Sequence, residues 1–319
     1  MDNINRINLI KEISEERNSK VICYICGDRK NVSIRIAPDI IPIFYDQLKT
    51  LNKNDKIDLI LYTKGGDILT ALRLVELIYE FTDNFSVIIP YKAYSSGTLI
   101  CLGASEIVMG RMSELSPVDP NIISPFSTKE NDLHNQLPIN VEDVYSFISL
   151  AKDIVGLKTD ESLMNMFLEL TEYVHPLAAG SVYRTHALIR SIAKKLLLMH
   201  MEYQDEYKIN EIINILTERL PSHNYMITRK EAKEDIKLPV TYCNQEFEKK
   251  IWNLYKIYED DFKLNSPFIA EEAADDNGNF SVCSGIIETL NESNGYIFEG
   301  NLERSNMNIT IMNQGWRNI

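Results

Sequence analysis

"SVIIPYKAYSSGTLICLGAS", residues 86–105, decides how this chain is read. An apolar run of strand character ends at Pro90, gives way to Ser95-Ser96-Gly97, and then resumes with helical spacing. Some thirty residues upstream "YTKGGD", residues 62–67, ends a second apolar run, "KIDLILYT", on a diglycine. Either turn alone is explained by small residues that close a strand and cap a helix. Together, at neighbouring strand ends, they also suit a nucleophilic serine beside backbone N–H groups that can hold an oxyanion.

Working outward, residues 5–17 form an amphipathic helix pattern with Ile4, Leu9, Ile10 and Ile13 as its apolar positions. "KVICYICG" reads as a continuously apolar strand and "VSIRIA", residues 32–37, as an alternating one. Asp39 is placed to cap a helix over residues 40–51, with Pro42 in its first turn. A second helix follows over 68–81, and "EIVMG" at 106–110 is a further strand. Strand–helix alternation of this kind implies a largely parallel sheet with crossover helices. Such sheets carry their chemistry at the carboxyl ends of the strands, where both turns fall.

Beyond "SPFSTKENDLHNQLP", residues 124–138 and the expected flexible loop, the pattern turns helical over 141–155, 160–175, 180–200 and 208–219. Thr228 is expected to open a short capped helix, and 245–262 a longer one carrying Trp252, Tyr255 and Tyr258 at spacing three. That stripe reads as core or interface rather than as a ligand site. The C-terminal segment reads as an antiparallel meander. The organisation expected is an N-terminal helix (1–19), a main domain (20–240) and a C-terminal helix with β meander (241–319).

Composition narrows the function. A formal net charge of −13 excludes a phosphate-binding surface of clustered Lys and Arg, so no nucleic-acid partner is expected. Five cysteines sit mostly in apolar runs. The pair Cys23 and Cys26 has CxxC spacing inside a strand, where residues three apart face opposite sides and cannot chelate. Neither a metal site nor a cofactor is expected: the acidic runs at 259–261 and 271–276 lack calcium-loop spacing. The polar N-terminus and the lack of a long apolar run point to a cytoplasmic protein without a membrane span.

"LILYTKGGDILTALRLVELI", "VIIPYKAYSSGTLICLGASEIVMG" and "SELSPVDPNI" together resemble the Clp protease/crotonase superfamily. The chain is most similar to its serine dehydrogenase proteinase branch, related to signal peptide peptidase A. "HPLAAGSVYRTHALIRSIAKKLL" and "SHNYMITRKEAKEDIKLPV" add to the likeness, which covers roughly residues 20–260. The resemblance implies an α/β fold of stacked ββα units with a mostly parallel sheet, followed by helices and a small C-terminal β region. It implies Ser95 as nucleophile, with the Ser96 N–H and an N–H of the Gly65-Gly66 turn as oxyanion hole. It also implies a homo-oligomer. Ser96 is the rival nucleophile within the same turn. Lys64 departs from the family, which often has proline there; it is either a solvated turn residue or a ligand for a substrate carboxylate.

The base is left open at this level. Where Clp proteases place histidine this chain has "SPVDP", and His223-Asn224 stands near the position of their aspartate. A rearranged triad would use His223 as base with Asp119 orienting it. A Ser-Lys dyad would need a desolvated lysine, for which Lys152 is the best placed and Lys129 lies in the loop.

These features imply a serine endopeptidase cutting peptides or unfolded protein through an acyl-enzyme. No nucleotide-binding GxxxxGK[ST] is present, so any unfolding engine would be a separate partner. The competing readings are a catalytically silent scaffold or peptide-binding module, favoured by the lack of histidine after Ser95, and a crotonase-type acyl-CoA enzyme, against which the serine itself argues.

Overall fold

The computed structural model describes residues 3–118, 121–122, 139–220, 222 and 224–319. The first half runs α1 (Asn3–Arg17), β1 (Lys20–Cys26), α2 (Ile40–Leu48), β2 (Ile57–Tyr62), α3 (Ile68–Phe81), β3 (Phe85–Ile89), β4 (Lys92–Ala93), α4 (Ser96–Leu102), β5 (Glu106–Met109) and β6 (Glu114–Leu115). The second half follows with β7 (Asn121–Ile122), β8 (Ile139–Asn140), α5 (Val141–Ser149), α6 (Asp160–Tyr173), α7 (Pro176–Leu197), α8 (Glu206–Asn214), β9 (Ile227–Thr228) and α9 (Arg229–Glu234). The chain then forms β10 (Val240–Tyr242), α10 (Gln245–Asp261), α11 (Ala270–Ala273), β11 (Asn279–Glu288), β12 (Ser293–Glu303) and β13 (Asn308–Asn318).

Eight strands form one sheet in the order β10-β5-β3-β2-β1-β11-β12-β13. From β10 to β1 all neighbours are parallel; β11, β12 and β13 continue the sheet antiparallel. The α/β class with a mostly parallel sheet is therefore the fold observed. Every residue of β2 and β3 is buried, which is why these strands read as unbroken apolar runs rather than as alternation. Helices α2, α3 and α4 pack on one face with α7 and α8 outside them, while α1 and α10 cover the other. Cys23 and Cys26 indeed fall on opposite faces of β1. The aromatic stripe of α10 joins the second layer, with Tyr255 and Tyr258 buried and Trp252 packed against them.

The C-terminal meander enters the main sheet through β11, which pairs with β1 from Cys23↔Glu288 to Cys26↔Gly285. Arg6 of α1 locks this junction: its guanidinium donates to Glu288 at 2.8 and 3.0 Å and to Asp261 at 2.5 Å, and Tyr258 Oη donates to Glu288. At the amino edge of the sheet Arg17 donates to both oxygens of Asp58 and to Glu106. Burial alone would raise the Glu106 carboxyl, but Arg17 and Lys56 hold it at about 2.

Two local expectations differ from the structure. Residues 32–37 alternate buried and exposed as expected, but they form no ladder: Ile34 N–H bonds Gly27, and Ile36 alone bridges to Gly66. The alternation reported burial, and no neighbouring strand was there to pair. Asp39 occupies the N-cap position of α2, yet its side chain makes no capping bond. Thr228, by contrast, caps α9 through the Glu231 N–H. The 124–138 loop lies outside the described residues.

Candidate active site

The two turns singled out in the sequence are held side by side by a parallel bridge, Thr63↔Ala93. The Thr63 N–H donates to the Lys92 carbonyl at 3.0 Å and the Tyr94 N–H to the Thr63 carbonyl at 3.1 Å. Glycine is required where the turns touch. Gly65 has φ +100°, and a Cβ there would lie 2.8 Å from Ser95 Cβ, 3.3 Å from its Oγ and 2.9 Å from the Tyr94 carbonyl oxygen. The diglycine backbone is therefore packed directly against Ser95.

Ser95 sits just before α4 with φ 54° and ψ −116°, a region a side chain with a Cβ adopts at a cost of about 1 to 3 kcal/mol. The surroundings hold it there. Its N–H donates to Ser116 Oγ at 2.8 Å, and Ser116 Oγ in turn donates to the Pro117 carbonyl at 2.9 Å. Thr98 Oγ1 lies 3.0 Å from the Ala93 carbonyl and 2.9 Å from the Ser116 carbonyl, either of which can take its one proton, and accepts from the Ser116 N–H. A strained elbow of this kind presents Ser95 outward, partly exposed, while Ser96 is fully buried. Among the described residues Ser96 Oγ has no hydrogen-bond partner, and, being buried, it neither caps the helix nor faces a substrate.

The N–H groups sort themselves by partner. Gly65 N–H is taken by Thr63 Oγ1 at 2.9 Å, and Gly97 N–H by the Tyr94 carbonyl at 2.8 Å. Ile36 bonds the Gly65 carbonyl and accepts from the Asp67 N–H, so in this bridge the Gly66 N–H points away from Ile36. Among the described residues neither the Gly66 N–H nor the Ser96 N–H, first in its helix, has an acceptor. Of the three oxyanion residues expected from sequence, Gly65 thus supplies the close approach, and Gly66 and Ser96 retain free donors.

The candidate bases fall out differently. Lys152 is exposed on a π-helical turn, Leu150–Ile154, following α5, so the burial that would make it a neutral base is absent. Asp119 and His223 lie outside the described residues, as does Lys129. Their flanks are described: β6 pairs antiparallel with β9, Glu114 opposite Thr228 and Leu115 opposite Ile227. Asp119 follows β6 by four residues and His223 precedes β9 by four, so the chain leads to both from the same end of this ladder. The other histidines among the described residues serve structure. His175 Nδ1 accepts from the Leu177 N–H at the start of α7, His186 faces Glu218, and His200 bonds the Leu102 carbonyl, where burial lowers its pKa.

One neighbouring feature was not legible in the sequence. Asp28, just past β1, is nine-tenths buried and receives Tyr62 Oη at 2.7 Å, Lys92 Nζ at 2.9 Å and Lys64 Nζ at 3.0 Å. Although burial opposes it, Tyr62 and the two ammonium groups hold this carboxyl below its ordinary pKa. Its members are dispersed at positions 28, 62, 64 and 92, and only the parallel order of β1, β2 and β3 gathers them at one edge.

Among the described residues no cluster of His, Cys, Asp or Glu can hold a metal, and no helix is long and apolar enough to cross a membrane. Residues 2–143 match the family model of the ClpP-like SDH-type serine proteinases, the family that the motifs resemble. The chain is 27% identical over 239 residues to the uncharacterized protein MJ0137 of Methanocaldococcus jannaschii, covering 72% of this chain and 71% of that one. It is 31% identical over 127 residues to the uncharacterized protein MJ1495 of the same organism, covering 37% and 42% respectively.

Proposed function

We propose that this chain of the ClpP-like SDH-type serine proteinase family is a serine peptidase that cuts peptides or unfolded protein through an acyl-enzyme on Ser95. The observation that carries the reading is the strained Ser95 elbow flanked by two N–H groups that have no acceptor among the described residues, those of Gly66 and Ser96. Ser95 Oγ attacks the scissile carbonyl carbon, and the developing oxyanion accepts from these two donors. Each such donor is worth roughly 10² to 10³ in rate where it has been removed from serine proteases. Because Ser95 N–H is held by Ser116 and Gly65 N–H by Thr63, the turn reaches this geometry without waiting for substrate.

His223, oriented by Asp119, is the proposed base. Two observations support it: Lys152 is solvent-exposed, and the residues leading to Asp119, Ser116 to Val118, lie against the elbow through Ser116. The base takes the Ser95 proton and returns it to the leaving amine. The protein works as a homo-oligomer in the cytoplasm on this reading, and takes peptide or unfolded protein with no cofactor.

Release of dye from a quenched, unfolded casein tests this. The wild type is expected to cut it, Ser95→Ala to be inactive, and His223→Gln and Asp119→Asn to lose most of kcat with KM little changed. Hydrolysis that survives Ser95→Ala overturns the nucleophile. A wild type that does not cut at any pH leaves the scaffold reading in its place.

A further inference from the structure

The cluster around Asp28 holds more positive charge than its own carboxylate requires. Lys92 is nearly buried, lies 2.9 Å from Asp28 and sits over the rings of Tyr62 and Tyr91 at 5.5 and 5.1 Å. With the Tyr62 hydroxyl on the other carboxylate oxygen, Asp28 is already neutralised and hydrogen-bonded from within the fold. Lys64 arrives from outside as a second ammonium on the same Oδ2, and 55% of its side chain remains exposed. An ammonium has three donors, so the bond to Asp28 leaves donors facing water.

Position makes this surplus consequential. Lys64 directly precedes Gly65, whose backbone touches Ser95, so its Cα lies about 3.8 Å along the chain from the oxyanion turn. Arg35, exposed and without an ion pair among the described residues, precedes Ile36, the residue bridged to Gly66. Two acids nearby keep their charge but, among the described residues, pair with neither cation: Asp67 accepts from Thr70 N–H and Oγ1 at the start of α3, and Glu114 accepts from Tyr94 Oη. On a chain of net charge −13, the rim of this turn therefore offers cations to a ligand that the rest of the surface repels.

We infer that Lys64, backed by the Asp28–Lys92 pair and assisted by Arg35, binds a carboxylate of the substrate next to the oxyanion hole, so that the protein prefers acidic peptides. Because Lys64 adjoins Gly65, whose backbone touches Ser95, a carboxylate on Lys64 belongs to a residue close in the peptide to the carbonyl seated at Ser95. The carboxylate comes either from an Asp or Glu side chain or from a peptide C-terminus. Lys64 is a specificity residue here, and it takes no part in bond breaking. The inference rests on the peptidase reading for the identity of the ligand, but its test does not use turnover.

Dye-labelled peptides of one sequence, carrying Glu or Gln at the central position and ending as free acid or amide, are titrated with Ser95→Ala protein and followed by anisotropy. Tighter binding of the Glu peptide by about fivefold is expected, shrinking in high salt, as for a charge pair at a half-exposed site. Preference for the free acid over the amide would assign the carboxylate to a C-terminus instead. In either case Lys64→Met should remove the preference, whereas Lys53→Met, the same charge change at an exposed distant site, should keep it. Equal binding of all four peptides, no binding of any at the highest attainable concentration, or a preference untouched by Lys64→Met overturns the inference. Failure of the peptidase reading shows separately, as a wild type that does not cut casein.

Discussion

Gly65→Ala asks whether the diglycine is there for its contact with Ser95 or merely to turn the chain. At φ +100° an alanine is strained, and its methyl would sit 2.8 Å from Ser95 Cβ and 2.9 Å from the Tyr94 carbonyl oxygen. Strain and overlap together should cost about 2 to 4 kcal/mol. For 319 residues the unfolding entropy is roughly 0.7 kcal/mol per degree, so Tm should fall by about 3 to 6 °C and the protein should still fold. Relief of the clash must push Ser95 and the Gly66 donor apart. A displacement near 1 Å costs about 10² in rate, so the second-order rate of fluorophosphonate labelling should fall at least that far. Gly156→Ala is the matched control, because it has φ +80° and nothing within 4 Å. It should cost about 1 to 2 kcal/mol and leave labelling unchanged. If Gly65→Ala labels at the wild-type rate while showing the expected loss of Tm, the contact between the two turns is not what sets the site.

Two further predictions concern stability. Ser96→Ala removes a buried hydroxyl that has no hydrogen-bond partner among the described residues, so thermal unfolding should show no loss and up to about 1 kcal/mol of gain, with labelling retained; a loss above about 1 kcal/mol would mean that hydroxyl is bonded. Glu106, held at about 2 against 4.5 when unfolded, contributes stability that is fully present above pH 4.5 and is lost as pH falls toward 2. The upper bound is about 3 kcal/mol, reduced because Glu106 is a quarter exposed. In urea unfolding the wild type should therefore exceed Glu106→Gln at neutral pH, with the gap closing from about pH 5 down to about pH 2; a gap independent of pH would contradict the ion-pair assignment.

The parts of the fold legible in sequence are those whose signal is local. The runs at 57–62 and 85–89 are apolar because both faces of those strands are covered, and the turn after the first carries Gly65 and Gly66 where a Cβ would strike backbone or Ser95. The family pattern alone distinguishes Ser95 from Ser96 in the sequence; in the structure Ser95 is partly exposed on a strained backbone and Ser96 is buried. What stayed hidden was set by pairing between distant segments. Nothing near Ser116 announces that its hydroxyl receives the Ser95 N–H, and nothing near Thr63 that it occupies the Gly65 donor. The strand expected at 32–37 failed for the same reason, since alternation records which residues are buried and not whether a neighbour exists to complete a ladder. Likewise, the meander gave no sign that β11 would pair with β1.

The central claim is that Ser95 is an activated nucleophile held beside the Gly66 and Ser96 donors. Peptide mapping of protein treated with a fluorophosphonate tests it most directly. The account predicts a single adduct on Ser95, absent from Ser95→Ala and present on Ser96→Ala. An unmodified wild type, or an adduct that persists in Ser95→Ala, would contradict it.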